Sequence, residues 1–266
     1  MRATLPCALL LLGAACGSGG TVTPPPGWTL VWSDEFDGAA GALDASKWIP
    51  DLGVGPNNDG WGNQQLEFDT GSTDNAALDG QGHLVITALK QAQGGRSYTS
   101  ARLVTYGTFS QKYGRVEARM KLPAGQGLWP AFWMLGDNVL ESGVGWPACG
   151  EIDIMELRGQ EPSTAVGSLH GPGYSGGSAL SDRYLLAGAK FSDDFHVFAV
   201  EWDPSRISFF VDGERYRTFT AESVQTSGKR WVYDHPFFLI LNLAVGGTFV
   251  GAPNAQTVFP ATMTVD

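Results

Sequence analysis

The sequence predicts an all-β domain of two antiparallel sheets packed face to face, and three observations carry that expectation. Short runs of β-forming residues recur, several of them alternating: His83–Ala88, Gly114–Met120, His196–Trp202 and Ile207–Val211. Turns bearing glycine or proline separate them, and 36 glycines in 266 residues supply many such turns. No segment keeps a helical hydrophobic period beyond about three turns. Strands at this spacing read as a two-sheet sandwich. The pattern alone does not separate a jelly roll from an immunoglobulin-like arrangement.

In chain order, residues 1–16 read as an export signal. Arg2 gives a positive start, Leu5 to Leu12 an apolar run, and Gly13-Ala14-Ala15 small residues before Cys16. The run is too short for a permanent membrane span. Two fates fit: a lipoprotein signal that places a lipid on Cys16, or ordinary cleavage after Ala15. Gly13 stands where lipoprotein signals prefer leucine. Either fate puts the protein outside the cytoplasm, extracellular or lipid-anchored at a bacterial envelope. Residues 17–27 form a Gly/Ser/Pro linker, flexible first and stiffer at its prolines. From Trp28 to Asp266 there is no repeat and no break in composition, so one domain, a monomer, is expected. Within it, Asp212-Gly213 signals a hairpin, with Glu214–Phe219 as the returning strand.

Composition narrows the partners. Hydrophobic residues at 43% and charged residues at 17% suit a folded soluble chain. The formal charge of -10 argues against nucleic acid and anionic membrane surfaces, which require clustered Lys and Arg. A neutral substrate fits, and nine tryptophans suit the apolar faces of sugar rings, although most are expected in the core. Cys7 and Cys16 belong to the signal, which leaves Cys149 alone in the domain. One cysteine builds neither a disulfide framework nor a thiolate metal site, so Cys149 is expected as a small buried thiol.

The chemistry concentrates in Gly150-Glu151-Ile152-Asp153-Ile154-Met155-Glu156-Leu157. Glu151 and Asp153 are two apart and share one face of a strand. Glu156 is three beyond Asp153, so a regular strand turns it to the apolar face. A single β-bulge near Ile154-Met155 returns it to the others. Three carboxyls on one face repel, and stability alone gives no reason for that. Glycoside cleavage does: it needs one ionised carboxylate and one protonated carboxylic acid flanking the bond, and crowding splits their proton affinities. The residues do not say which glutamate plays which part. Just upstream, Trp129, Trp133 and Trp146 lie close in sequence to this strand; Phe132 and Trp133 are candidates for the core on alternate positions.

With these features the sequence resembles glycoside hydrolase family 16, in its bacterial laminarinase (endo-β-1,3-glucanase) branch. Residues 28–266 carry the resemblance in ordered blocks: Trp32–Gly38, Trp61–Glu67, Tyr98–Leu103, the Trp-rich segment, Glu151–Glu156, His170–Tyr174 and His235–Gly247. The resemblance implies a β-jelly roll with an open cleft on its concave sheet and a retaining endo-hydrolysis of β-1,3-glucan. It makes Glu151 the nucleophile, Glu156 the general acid/base and Asp153 the residue that tunes their charge. Met155 favours laminarinases over enzymes specific for mixed-linkage glucan. Asn63, Arg102, Trp129, Trp133, Trp146 and His170 match cleft-lining positions; for Arg102 a structural ion pair, and for His170 a hydrogen-bonded loop role, compete with that reading. No cofactor is implied for the chemistry. A structural Ca²⁺ is implied at Glu35, Gly82 and Asp266. The segment Met263–Asp266 matches one that runs on into a last apolar strand in relatives, so the domain is expected to be truncated there. Rival readings are a non-catalytic β-glucan-binding protein, a transglycosylase, and a hydrolase of agar, carrageenan or mixed-linkage glucan on the same fold.

Overall fold

The computed structural model describes residues 7–12, 24 and 26–266. Cys16 and most of the 17–27 linker therefore lie outside the described residues. Among those described, the chain forms two large sheets and a small parallel pair, Glu67–Asp69 with Tyr98–Ser100.

One large sheet runs, in spatial order, Glu214–Thr220, Arg206–Val211, His196–Asp203, Gly114–Lys121, Ala261–Val265, Leu84–Ala88 and Ala76–Leu78. The backbone of Cys7–Leu12, inside the segment read as an export signal, lies parallel to both Trp28–Ser33 and Gly114–Lys121 in this sheet. The other sheet runs Leu180–Leu185, Thr164–His170, Glu151–Leu157, Leu128–Gly136, Phe237–Val245, Arg102–Val104 and Ile49–Asp51, every pairing antiparallel. The strand runs read from the sequence are all present to within one or two residues. At the hairpin, Asp212 and Gly213 take φ of 49° and 80°, the left-handed pair that a two-residue turn between twisted strands requires.

The core lies between the two sheets and follows from side-chain alternation. In Phe237–Val245 every residue is buried, yet the faces differ. Phe237, Leu239, Leu241, Leu243 and Val245 enter the main core, whereas Phe238, Ile240 and Ala244 join small apolar clusters on the outer face. Asn242 is the polar exception on that outer face. Leu128–Gly136 divides likewise: Leu128, Phe132 and Met134 point into the core. Trp129 and Trp133 stand on the other side with the outer clusters. Two sheets bound only by dispersion and the hydrophobic effect need these inner faces continuous, and the large side chains Phe132, Phe198, Phe209 and Phe237 are fully enclosed.

Ala261–Val265 pairs with Leu84–Ala88 along its length and with Met120 and Lys121 at its end. The Asp266 N–H continues that ladder to the Arg119 carbonyl, 2.9 Å away.

Neighbouring residues on one strand thus serve different ends, which mutation separates. Phe132→Ala empties a site at the sheet interface and is expected to cost about 3–5 kcal/mol of unfolding free energy. Urea denaturation checks it; a loss below about 1 kcal/mol contradicts the inward placement of this ring.

Candidate active site

The carboxylate strand holds the bulge that its spacing requires. Asp153 pairs with Ser168 and Glu156 with Val166, so three steps on one strand meet two on the other. On the opposite side Asp153 faces Trp133 and Met155 faces Phe132, leaving Ile154 as the extra residue. Consequently Ile152, Ile154, Met155 and Leu157 all belong to the core. Glu151, Asp153 and Glu156 share the outer face.

Each glutamate has an indole partner. Trp146, carried by the short Gly145–Ala148 turn, donates its Nε1–H to Glu151 Oε2 at 2.9 Å. Trp129 donates its Nε1–H to Glu156 Oε1, also at 2.9 Å. His170 ends the adjacent strand directly opposite Glu151, and its Nε2 lies 2.9 Å from Asp153 Oδ2 and 3.6 Å from Glu151 Oε1. Burial is the main reason these acids hold their protons. It pushes Glu151 up to about 8, with the charge of Asp153 adding to it. Glu156 is raised to about 7, again by burial first. Asp153, almost wholly enclosed, is raised well above its ordinary range by burial and then by the charge of Glu156. The three form one coupled cluster that retains protons at neutral pH, able to offer a carboxylate and a carboxylic acid together.

Beyond Trp133 the outer face continues as a stacked column. The Arg102 guanidinium lies over Trp61 at 4.5 Å and over Trp133 at 4.7 Å from the ring centroids. Each member is tied down: Arg102 Nε donates to Asp51 Oδ2 at 2.9 Å, Trp61 Nε1 to Asp69 Oδ2 at 2.8 Å, and Trp133 Nε1 to Asn242 Oδ1 at 2.8 Å. Arg102 is therefore both an ion-pair partner and part of the site's aromatic wall. Asn63 sits on the Gly60–Gln64 turn, where its carbonyl accepts from Thr248 N–H. There Gly247 packs so closely that a Cβ would lie 3.0 Å from the Asn63 carbonyl oxygen and 3.3 Å from the Trp129 ring, which places Asn63 beside Trp129. Behind this wall Glu67 and Asp69 are buried together; burial raises both, Asp69 to about 7.

All six substrate-binding candidates thus stand on or beside one face with the three acids. Trp61, Asp51, Asp69 and Asn242 were not singled out from the sequence. Asn242 could have been, as the lone polar residue in an otherwise apolar nine-residue strand; Asp51 carried no local signal. Cys149 is buried and unpaired, as expected.

Of the residues implied for a calcium ion, Asp266 is already engaged. The Asp266 carboxylate is paired with the Arg119 guanidinium, which competes with a cation for it. Among the described residues, the one set of three His, Cys, Asp or Glu groups whose ligand atoms lie within 4.8 Å of one another is Glu151, Asp153 and His170. Gly82 has no side-chain donor and Glu35 and Asp266 offer only two carboxylates, so an ion there would depend on backbone oxygens.

A two-sheet sandwich with a protonated carboxyl cluster on one outer face, framed by indoles, defines a glycoside hydrolase. The chain belongs to glycosyl hydrolases family 16, whose model matches residues 63–264. It is 40% identical over 272 residues to the beta-glucanase of Rhodothermus marinus, spanning 100% of this chain and 93% of that protein. The laminarinase catalytic domain of Thermotoga maritima superposes with a TM-score of 0.84 at 47% identity, over 90% of this chain and 95% of the other. The endo-beta-1,3-glucanase of Pyrococcus furiosus gives 0.82 at 48% identity, over 88% and 90%. The sandwich is accordingly the jelly roll of that family.

Trp146→Phe keeps an aromatic ring and removes the donor to Glu151. We expect kcat to fall about 10-fold with KM changed little, since a hydrogen bond to a charged group contributes about 1.5–3 kcal/mol; steady-state kinetics check it. The raised acids also set a pH dependence of stability. Each binds its proton more tightly folded than unfolded, so their contribution is full below the unfolded value of 4.5 and is lost as pH rises through about 7 to 8. Glu151→Gln removes one such group, and its melting temperature should drop less than that of the wild type between about pH 5 and about pH 8. Parallel curves in calorimetry would contradict the raised Glu151.

Proposed function

We propose that this protein is an exported endo-β-1,3-glucanase that hydrolyses laminarin-like glucan with retention of anomeric configuration. The observation that carries the proposal is the bulged strand, with its three carboxyls on one face between the indole N–H groups of Trp129 and Trp146. The relatives' names, beta-glucanase, laminarinase and endo-beta-1,3-glucanase, support β-1,3-glucan as the substrate.

In the first step ionised Glu151 attacks the anomeric carbon while protonated Glu156 gives its proton to the departing glycosidic oxygen. Asp153 holds the proton that would otherwise sit on Glu151. The resulting glycosyl ester has lost the Glu151 charge. Ionised Glu156 then accepts a proton from water as that water attacks the anomeric carbon, and Glu151 and Glu156 return to their starting states. Asn63, Arg102, Trp129, Trp133, Trp146 and His170 supply the surface along which the glucan lies, with the apolar sugar faces toward the indoles.

The chemistry draws on carboxyl groups, so chelation by EDTA should leave the rate of cleavage unchanged. A calcium ion held by backbone oxygens near Glu35, Gly82 and Asp266 would show instead as a lower melting temperature after chelation. Export rests on residues 1–16 alone; fractionation of wild type and Cys16→Ser separates a lipid anchor, lost in the variant, from simple cleavage.

Reducing-sugar release from laminarin, beside barley mixed-linkage glucan, agarose and carrageenan, tests the assignment. Laminarin should be cleaved, and Glu151→Gln and Glu156→Gln should each lower kcat by about 1,000-fold or more while laminarin binding persists. Cleavage of another polymer alone would move the substrate and keep the mechanism. Binding without cleavage by the wild type would make this a glucan-binding protein.

A further inference from the structure

We propose that Trp61 and the buried Asp69 behind it are further positioning residues for the glucan: Asp69 clamps Trp61, and Trp61 holds the Arg102 guanidinium with its terminal N–H groups free for sugar hydroxyls. The proposal deepens the substrate reading above and rests on it for the identity of the sugar alone.

The backbone of Trp61 is strained. It takes φ 56° and ψ 33°, the left-handed region that a bulky aromatic residue rarely enters and that glycine enters without cost. Several contacts hold the turn in this shape. The Gly60 and Trp61 N–H groups both donate to the Val54 carbonyl, at 2.9 and 3.0 Å, and Asp59 Oδ1 accepts from the Gly62 N–H at 2.8 Å. Gly55 lies so close to Trp61 that a Cβ there would stand 2.9 Å from the Trp61 backbone. A turn required only to connect two strands has no use for a tryptophan at such a position, so the strain points to the ring.

That ring has two partners. Its Nε1–H donates to Asp69 Oδ2 at 2.8 Å, and the guanidinium carbon of Arg102 stands 4.5 Å from its centroid. Asp69 is 2% exposed and firmly placed, since its backbone exchanges both hydrogen bonds with Gly53, at 2.8 and 2.9 Å. Gly53 directly precedes Val54, so one short stretch anchors both the Trp61 backbone and the acceptor of its side chain. Burial pushes Asp69 up to about 7, while the Arg102 charge and the Trp61 N–H oppose that rise. The three groups therefore act on one another directly.

Arg102 is left with a defined set of donors. Its Nε is bonded to Asp51, and Trp133 lies 4.7 Å from the guanidinium carbon. Among the described residues no acceptor is paired with its Nη1 or Nη2. A planar fork of N–H groups fits two neighbouring oxygens, those of adjacent sugar hydroxyls as well as those of a carboxylate. A neutral glucan offers such hydroxyls and no charge that competes for Asp51. Trp61 fixes the plane of the fork, and the plane fixes where the sugar is gripped. The effect is on binding and not on the chemical step, because Glu151 and Glu156 have their own partners in Trp146 and Trp129.

A double-mutant cycle tests this relay. Trp61→Gly suits the left-handed backbone and removes the ring; KM for laminarin should rise about 10-fold with kcat within about 3-fold of the wild type. Trp61→Phe keeps a ring beside Arg102 and should raise KM only about 3-fold. Asp69→Asn keeps an oxygen for the indole and should resemble Trp61→Phe, whereas Asp69→Ala should approach Trp61→Gly. In an Arg102→Lys background, which lacks the planar fork, Trp61→Gly should add less than about 2-fold in KM. Additive losses in that background, or a fall in kcat with KM unchanged, would overturn the proposal. So would a lower melting temperature with unchanged kinetics, which would make Trp61 purely structural. Calorimetric binding of laminarin oligosaccharides to the Glu151→Gln variant repeats the cycle without turnover. A wild type that cleaves mixed-linkage glucan, agarose or carrageenan in place of laminarin would overturn the substrate reading, and the same cycle on that polymer would still decide the role of Trp61.

Discussion

The site depends on one extra residue in one strand. Because side chains alternate, a regular Glu151–Leu157 strand sends Glu156 into the core and Met155 toward the acids. The bulge at Ile154-Met155 shifts the phase once, so four apolar residues reach the core and three acids reach the outer face. Either error would be costly: a carboxyl between the sheets loses its hydration, and a methionine among the acids loses its burial. Both neighbouring strands record the same shift, which shows that the sheet is built around the bulge and does not merely tolerate it.

Grouping three acids on a largely buried face works against stability, and the structure offsets the cost locally. The indoles of Trp129 and Trp146 each give a glutamate an N–H, and His170 brings its Nε2 to Asp153. What remains is relieved by keeping protons, which is also the condition for acid catalysis. The unfavourable electrostatics and the reactivity are the same fact described in two ways. A second buried pair, Glu67 and Asp69, shows the same raised affinity but stands behind the aromatic wall; Asp69 holds Trp61, and Glu67 accepts from Val245 N–H at 2.8 Å. Raised acids alone therefore do not single out the candidate site; its acids differ from this pair in standing on the outer face beside the indoles.

Local pattern made the strands legible, and spacing made the bulge legible, since three residues between acids of one face cannot fit a period of two. Pairing across the sheets was not legible in that way. The contacts of Glu151 with His170 and of Trp133 with Asn242 join segments 19 and 109 positions apart in the chain, and no short window contains them. The roles of the two glutamates came from family resemblance, because crowding predicts that proton affinities split without saying which acid keeps the proton. Arg102 shows the limit best. An ion pair and a cleft role were competing readings of it; the structure shows the ion pair, with Asp51 holding the guanidinium where it stacks on two indoles.

The tryptophans that composition suggested as sugar platforms are also the frame of the reacting groups. Trp146, exposed, and Trp129, buried against Phe249, both stand on the outer face while their N–H groups hold Glu151 and Glu156. Trp133 has one face against Arg102 and its N–H on Asn242, so its orientation is set before any sugar arrives. A sugar ring stacked on the exposed Trp146 would therefore rest on the plane that orients Glu151. Misplacing such a sugar and misplacing the acid would then be one event, because a single indole would fix both positions. A geometry so coupled would favour substrates whose stacking brings a glycosidic oxygen between the two glutamates, and it would give a physical reason for so many tryptophans beside one acidic strand.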